Sequence, residues 1–139
     1  MIRAGSKILV WDDYNPATGE MVSVPIAGGI EFGETGQQAI MRELAEEIRA
    51  TPTRIQFLGL LEDIFDWAGQ KRHELYLVYD VDLAGRAIYD AEEVEIVEPD
   101  GTRYPARWRS LAEFHSGARL VPDGLLDLVS NAARAGADD

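Results

Sequence analysis

Three glutamates, Glu43, Glu46 and Glu47, crowd one short segment, with Glu34 upstream and Arg42 the only basic side chain between Glu34 and Glu47. Carboxylates at helical neighbour spacing, about 5 to 6 Å apart, repel by roughly 3 kcal/mol per pair at an effective dielectric near 20. Two arrangements relieve that repulsion. Water can screen the charges on a solvated helix face, the commonest fate of a charge run. Alternatively, a hard divalent cation can bind among the oxygens, keeping several waters and sharing its coordination with substrate phosphates. The chemistry of the second arrangement is attack of an activated water on phosphorus, with a cation stabilising the departing oxygen.

Composition narrows the choice. The chain has 139 residues, a net charge of -12, no cysteine and only two histidines, His73 and His115. Disulfides, thiolate clusters and a thiol nucleophile are excluded, and a histidine-rich zinc site is a poor fit, so any metal chemistry rests on oxygen donors. The length suits one domain spanning residues 1–139 with its own hydrophobic core. The arginines are scattered, so a long phosphate backbone would be repelled and no nucleic-acid polymer is expected as a partner. A small phosphorylated substrate is compatible with the acidity if divalent cations lie between its phosphates and the carboxylates. No stretch approaches the roughly 18 apolar residues of a membrane span, and the N-terminus lacks a charged-then-apolar signal pattern. The expectation is a cytoplasmic protein with no membrane partner; a homodimer is compatible with this reading.

The acids need a scaffold, and the sequence outlines one. Residues 7–11 (KILVW) and 21–26 (MVSVPI) read as strands around a turn rich in Asn, Pro and Gly. A calcium loop at Asp13, Asn15 and Gly19 fails, because the glycine falls one residue late and Val24 stands where the bidentate glutamate belongs. From about Gln37 to Arg49 the residues favour helix. At 100° per residue, Ile40, Met41, Leu44, Ala45 and Ile48 share one face, and Glu43, Glu46 and Glu47 are expected on the opposite side. Residues 54–67, 73–83 and 94–108 read as strands, the last a hairpin turning at Asp100–Gly101. A final helix is expected over 122–135, burying Leu125, Leu126, Leu128 and Val129. Strands flanked by helices predict an α/β sandwich.

The spacing Gly28, five residues, Glu34, seven residues, then Arg42-Glu43-Leu44-x-Glu46-Glu47 resembles the Nudix hydrolase signature, G-x5-E-x7-R-E-U-x-E-E-x-G-U, where U is a bulky aliphatic. Six such matches arise by chance on the order of once in ten million starts. Arg49 departs from the signature glycine and Ala50 from its larger aliphatic. The resemblance covers residues 28–50 strongly and, through element order, the rest more loosely. It implies a Nudix-like α/β/α sandwich with a mixed β-sheet between helices. It also implies Mg²⁺ or Mn²⁺ held by Glu43, Glu46 and Glu47, with help from a backbone carbonyl near Ala27. Arg42 would pair with Glu34 and orient the helix, and Gly28, Gly29 and Gly33 would bring the backbone close to metal and phosphate. Arginine at 49 resists the left-handed turn that glycine adopts, so the helix is expected to end differently here.

The family often adds an acid from a later loop. Glu92, Glu93, Glu95 and Glu98 compete for that role, and Glu98 is favoured by its place beside the Asp100–Gly101 turn. Either Glu43 or Glu46 could serve as base. Trp67, Tyr14 and Trp11 are candidates for stacking on a base, with Trp67 preferred, and His73 for touching phosphate, although aromatics beside strands usually pack in a core. The proline of the ADP-ribose branch and the motifs of the coenzyme A and NADH branches are missing. The reading therefore ends at a diphosphate linkage in a small nucleoside diphosphate-linked substrate. A nucleoside triphosphate pyrophosphohydrolase and a non-catalytic nucleotide-binding domain are the alternatives.

Overall fold

A computed structural model describes residues 1–137 of the chain. Strand β2, Lys7–Asn15, is its organising element. Alternation sends Ile8 and Val10 to one face and Leu9 to the other, and none is more than 1% exposed. Strands β1 (Arg3–Ala4) and β3 (Glu20–Pro25) pair antiparallel along one edge of β2. Along the other edge, β7 (Arg103–Ser110) pairs through Lys7–Trp11, and β6 (Glu93–Val97) lies beyond β7. The expected turn at Asp100–Gly101 joins these last two strands, with Gly101 at a φ of 88° that favours glycine.

A second ladder pairs β4 (Pro52–Trp67) with β5 (Gln70–Leu83) through a turn at Ala68–Gly69, whose φ angles of 50° and 76° match the twist of a two-residue hairpin. All of these ladders are antiparallel; the mixed character lies in two parallel bridges, Ile2 to Val81 and Ser23 to Leu120. The first ties the two sheets together.

Helices cover both faces. Helix α1 (Gly36–Ile48) packs Leu44 and Ile48 with Leu9, Ile26, Val94, Ile96 and Ala106. Helices α3 (Leu111–His115) and α4 (Leu125–Ala137) close the other face around Ile8, Val10, Phe114, Leu125 and Val129. A further short helix, α2 (Ala87–Asp90), precedes β6. The result is the α/β/α sandwich that the element order predicts. Among the described residues, no helix is long and apolar enough to cross a membrane.

Three local expectations are corrected. Strand β2 runs on to Asn15 because Val10–Asn15 pairs along its length with β3. Helix α4 starts at Leu125 rather than Pro122, since Gly124 has a φ of 88°, outside helical space. Leu125 and Val129 are buried there as expected, whereas Leu126 and Leu128 are only partly covered. Helix α3 went unread although Ser110 and Glu113 form a capping box at its start.

Candidate active site

The loop from Ile26 to Thr35 and helix α1 build the site together. Thr35 caps the helix: its hydroxyl accepts from Gln38 N at 3.1 Å, and its own N–H donates to Gln38 Oε1 at 2.9 Å. At the other end Arg49 itself takes the left-handed conformation, φ 53° and ψ 37°, and Ala50 N donates back to Leu44 O at 3.0 Å. The expectation of a different ending is therefore corrected. The backbone turn is the glycine-type turn, with arginine bearing its strain.

The expected helix orientation is also corrected. Met41 and Ala45 are exposed, while Glu43 and Glu47 are buried, 8% and 4% exposed, on the side that carries Leu44 and Ile48. At 100° per residue Glu47 falls between Glu43 and Ile40, near the middle of the covered arc. Glu43 and Glu47 face a cleft and are not part of a solvated stripe, whereas Glu46 stays exposed beside them.

Arg42 holds loop and helix together. One end of its guanidinium donates to Glu34 Oε1 at 2.6 Å and to Gly29 O at 2.9 Å; the other donates to Glu43 Oε1 at 2.9 Å and reaches Glu46 at 3.5 Å. This bonding holds the Glu34 carboxyl below its ordinary pKa, first through Arg42 and then through the N–H of Glu31. Gly28 serves Glu43 by close approach: a β-carbon on Gly28 would lie 2.0 Å from the Glu43 carboxylate carbon. Gly29 meets nothing within 4 Å and contributes its carbonyl, and Gly33 supplies a φ of 89°.

Glu43, Glu46, Glu47 and Glu98 line one open cleft of about 790 Å³ with Ala27, Gly28, Gly29 and Arg42. Burial, hydrogen bonding to Glu43, and the charges of Glu98, Glu43 and Glu46 push the Glu47 carboxyl up to about 8. A second cleft of about 600 Å³ shares Ala27, Gly28, Gly29, Ile30 and Glu43 with the first, and continues between α1 and β5 past Ile40, Leu77 and Tyr79. Acid and apolar compartments thus meet at Gly28 and Glu43.

A family model described as the NUDIX domain matches residues 1–125. The chain belongs to the Nudix family. Its fold is similar to that in the solution structure of the E. coli ORF135 protein, at 22% identity and a TM-score of 0.63, covering 98% of this chain and 87% of that one. Comparison with curated proteins gives no match.

The Nudix helix does not present a ready-made cage: among the described residues, no three acidic or histidine side chains are gathered for a metal ion. Arg42 occupies oxygens of Glu43 and Glu46 instead. The donor set nevertheless fits a hard cation. Every candidate ligand is an oxygen, and a carboxyl held up at about 8 among other carboxylates is a site that lacks positive charge.

Of the four later acids, only Glu98 lines the cleft. Glu93 pairs with Arg107 at 2.8 Å, Glu95 with Arg103 at 2.7 Å, and Glu92 is exposed. Trp67, the expected substrate contact, is not brought to either cleft. It pairs with Gln70 at the tip of the β4–β5 hairpin and lines neither cleft, because the hairpin carries the end of β4 away from the Nudix helix. His73 is on the same hairpin, bound to Glu62 at 2.8 Å, and is absent from both linings. Trp11 packs on Tyr104 with ring centroids 4.6 Å apart, and Tyr14 is exposed and lines neither cleft. Sequence reasoning missed Tyr104, whose hydroxyl donates to Glu98. Its inward position was legible from the two-residue alternation of Tyr104, Ala106 and Trp108.

Proposed function

We propose that this Nudix protein is a divalent-metal-dependent pyrophosphohydrolase that cleaves the diphosphate linkage of a small nucleoside diphosphate-linked substrate. The observation that carries the reading is the burial of Glu43 and Glu47 in one cleft with Glu46 and Glu98, where only Arg42 offers positive charge. Buried like charges persist in a fold when a cation or a proton offsets them.

Glu43, Glu46, Glu47, Glu98 and the Ala27 carbonyl would hold Mg²⁺ or Mn²⁺, which supplies the charge that lowers the proton affinity of water and neutralises phosphate. Glu46 is the best-placed base. It is at the cleft mouth with its side chain 46% exposed and only a 3.5 Å contact to Arg42, whereas Glu43 is fixed by Arg42 at 2.9 Å. Glu46 takes a proton from water as the water oxygen bonds to phosphorus. The bridging P–O bond breaks, and its electron pair leaves with the second phosphate. Arg42 holds the Gly29 loop against the helix throughout.

The apolar cleft beside Gly28 receives the base or sugar, between Ile40 on the helix and Leu77 and Tyr79 on β5. Among the described residues, Arg42 is the only basic side chain lining either cleft. That scarcity supports a substrate with two phosphates over one with the higher charge of a triphosphate.

The test is turnover by purified protein with Mg²⁺ on a panel of nucleoside diphosphate-linked compounds and nucleoside triphosphates, run in ¹⁸O water. The diphosphate-linked compounds are expected to turn over fastest, with label on a phosphate product. Preference for triphosphates would shift the reading to a triphosphate pyrophosphohydrolase, and binding without turnover to a ligand-binding domain. Label on carbon would refute attack at phosphorus.

A further inference from the structure

Glu98 stands on a hairpin turn, where a glutamate side chain ordinarily has rotamer freedom and open water to move into. Its backbone is fixed. Glu98 N donates to Thr102 O at 2.8 Å, Gly101 N donates to Glu98 O at 2.9 Å, and Thr102 N donates to Asp100 Oδ1 at 2.9 Å. Its side chain is fixed from the opposite direction: the Tyr104 hydroxyl donates to Glu98 Oε1. Tyr104 lies on β7 opposite Ile96 and does not line the acid cleft. Its ring packs against Trp11, tilted by 50°, on the edge of the core that α1 covers. The hydroxyl therefore reaches Glu98 from the core side of the turn.

Without that bond, the negative charge of the cleft would favour rotamers of Glu98 that swing out to solvent. We infer that Tyr104 is a positioning residue, whose hydroxyl holds the Glu98 carboxylate at the cleft beside Glu47 so that a divalent cation meets an assembled set of oxygens. The inference rests on the reading of Glu98 as a ligand. Trp11 acts one step further back, by fixing the phenol ring.

Tyr104→Phe keeps the ring against Trp11 and removes only the hydroxyl. Mn²⁺ binding is measured by electron paramagnetic resonance on the full chain without substrate, alongside Glu98→Gln and the double variant. Tyr104→Phe is expected to weaken Mn²⁺ binding about tenfold, the worth of one hydrogen bond to a charged group. Its circular dichroism spectrum should be unchanged. The double variant should bind no more weakly than Glu98→Gln alone, because the hydroxyl acts through that carboxylate. In the unaltered protein, the Tyr104 hydroxyl proton should give a slowly exchanging downfield resonance that shifts as Mg²⁺ is added. Parental Mn²⁺ affinity in Tyr104→Phe, with weakened affinity in Glu98→Gln, would overturn the positioning role alone. Parental affinity in both variants would remove Glu98 from the site and with it the reading on which the inference rests. A hydroxyl proton in fast exchange with water would also overturn it, whether or not the variant folds.

Discussion

Gly28 and Glu43 occupy one another's space: the carboxylate carbon and Oε1 of Glu43 each lie 2.0 Å from where a β-carbon on Gly28 would stand. The signature glycine at this position is required by contact, since its φ is not in the left-handed range. Gly28→Ala must displace Glu43 from Arg42 and from the cleft. We expect kcat/KM to fall by about 100-fold or more, with a stability loss of about 1 to 3 kcal/mol from overpacking. Steady-state kinetics and thermal melts check both numbers.

Glu46→Gln and Glu47→Gln should each lower turnover by about 100-fold to 10,000-fold while leaving the fold intact. Only the second should raise the melting temperature in chelator, because Glu47 is the buried member of the pair. Parental rates in both variants would mean that the chemistry happens elsewhere.

The raised Glu47 carboxyl gives stability a definite pH dependence. Its folded value is about 8 against an ordinary 4.5, so between those limits the folded state binds more protons than the unfolded state. Stability from this group is therefore full at acid pH and is lost as pH rises towards 8. In chelator, the melting temperature of the parent should fall relative to Glu47→Gln between pH 5 and 8. Saturating Mg²⁺ should remove that relative fall, as the cation replaces the proton.

Arg49→Gly should raise stability by about 0.5 to 1 kcal/mol and leave activity unchanged, because glycine adopts the observed left-handed turn without the cost of a β-carbon. Thermal melts and kinetics of the single variant test this. A loss of stability would show that the arginine side chain contributes more than its backbone strain removes.

Chelation of divalent ions should abolish turnover, and Mg²⁺ or Mn²⁺ should restore it. Activity that survives exhaustive dialysis against chelator would exclude the proposed role of the carboxylates.

Much of this arrangement was legible in the sequence because it depends on local pattern. Strand-forming residues beside turn-forming ones marked β2 and β5, Asp100–Gly101 marked its turn, and the spacing from Gly28 to Glu47 marked the acid cluster. The orientation of α1 was misread because ionised glutamates count as polar in any periodicity argument. Glu43 and Glu47 are instead buried, with Gly28 in close approach to Glu43 and Glu98 lining the same cleft. Those contacts join residues far apart in the chain. The placement of Trp67 was not legible for a similar reason: a strand's composition does not reveal where a long hairpin will carry its tip. Tyr104 drew no reading from the sequence, because its ring packs with the core and only its hydroxyl reaches Glu98.

Arg42 carries a division of labour within a single side chain. Nε and one terminal nitrogen are committed to Glu34 and the Gly29 carbonyl, and the other terminal nitrogen to Glu43 and Glu46. The first set holds architecture and the second holds oxygens that the proposed cation would claim. On the proposed function, metal entry would exchange one positive partner for another, and the loop need not let go while the glutamates change hands. Replacing Arg42 with lysine would keep the charge but merge the two duties into one ammonium, unable to release the acids without also releasing the loop.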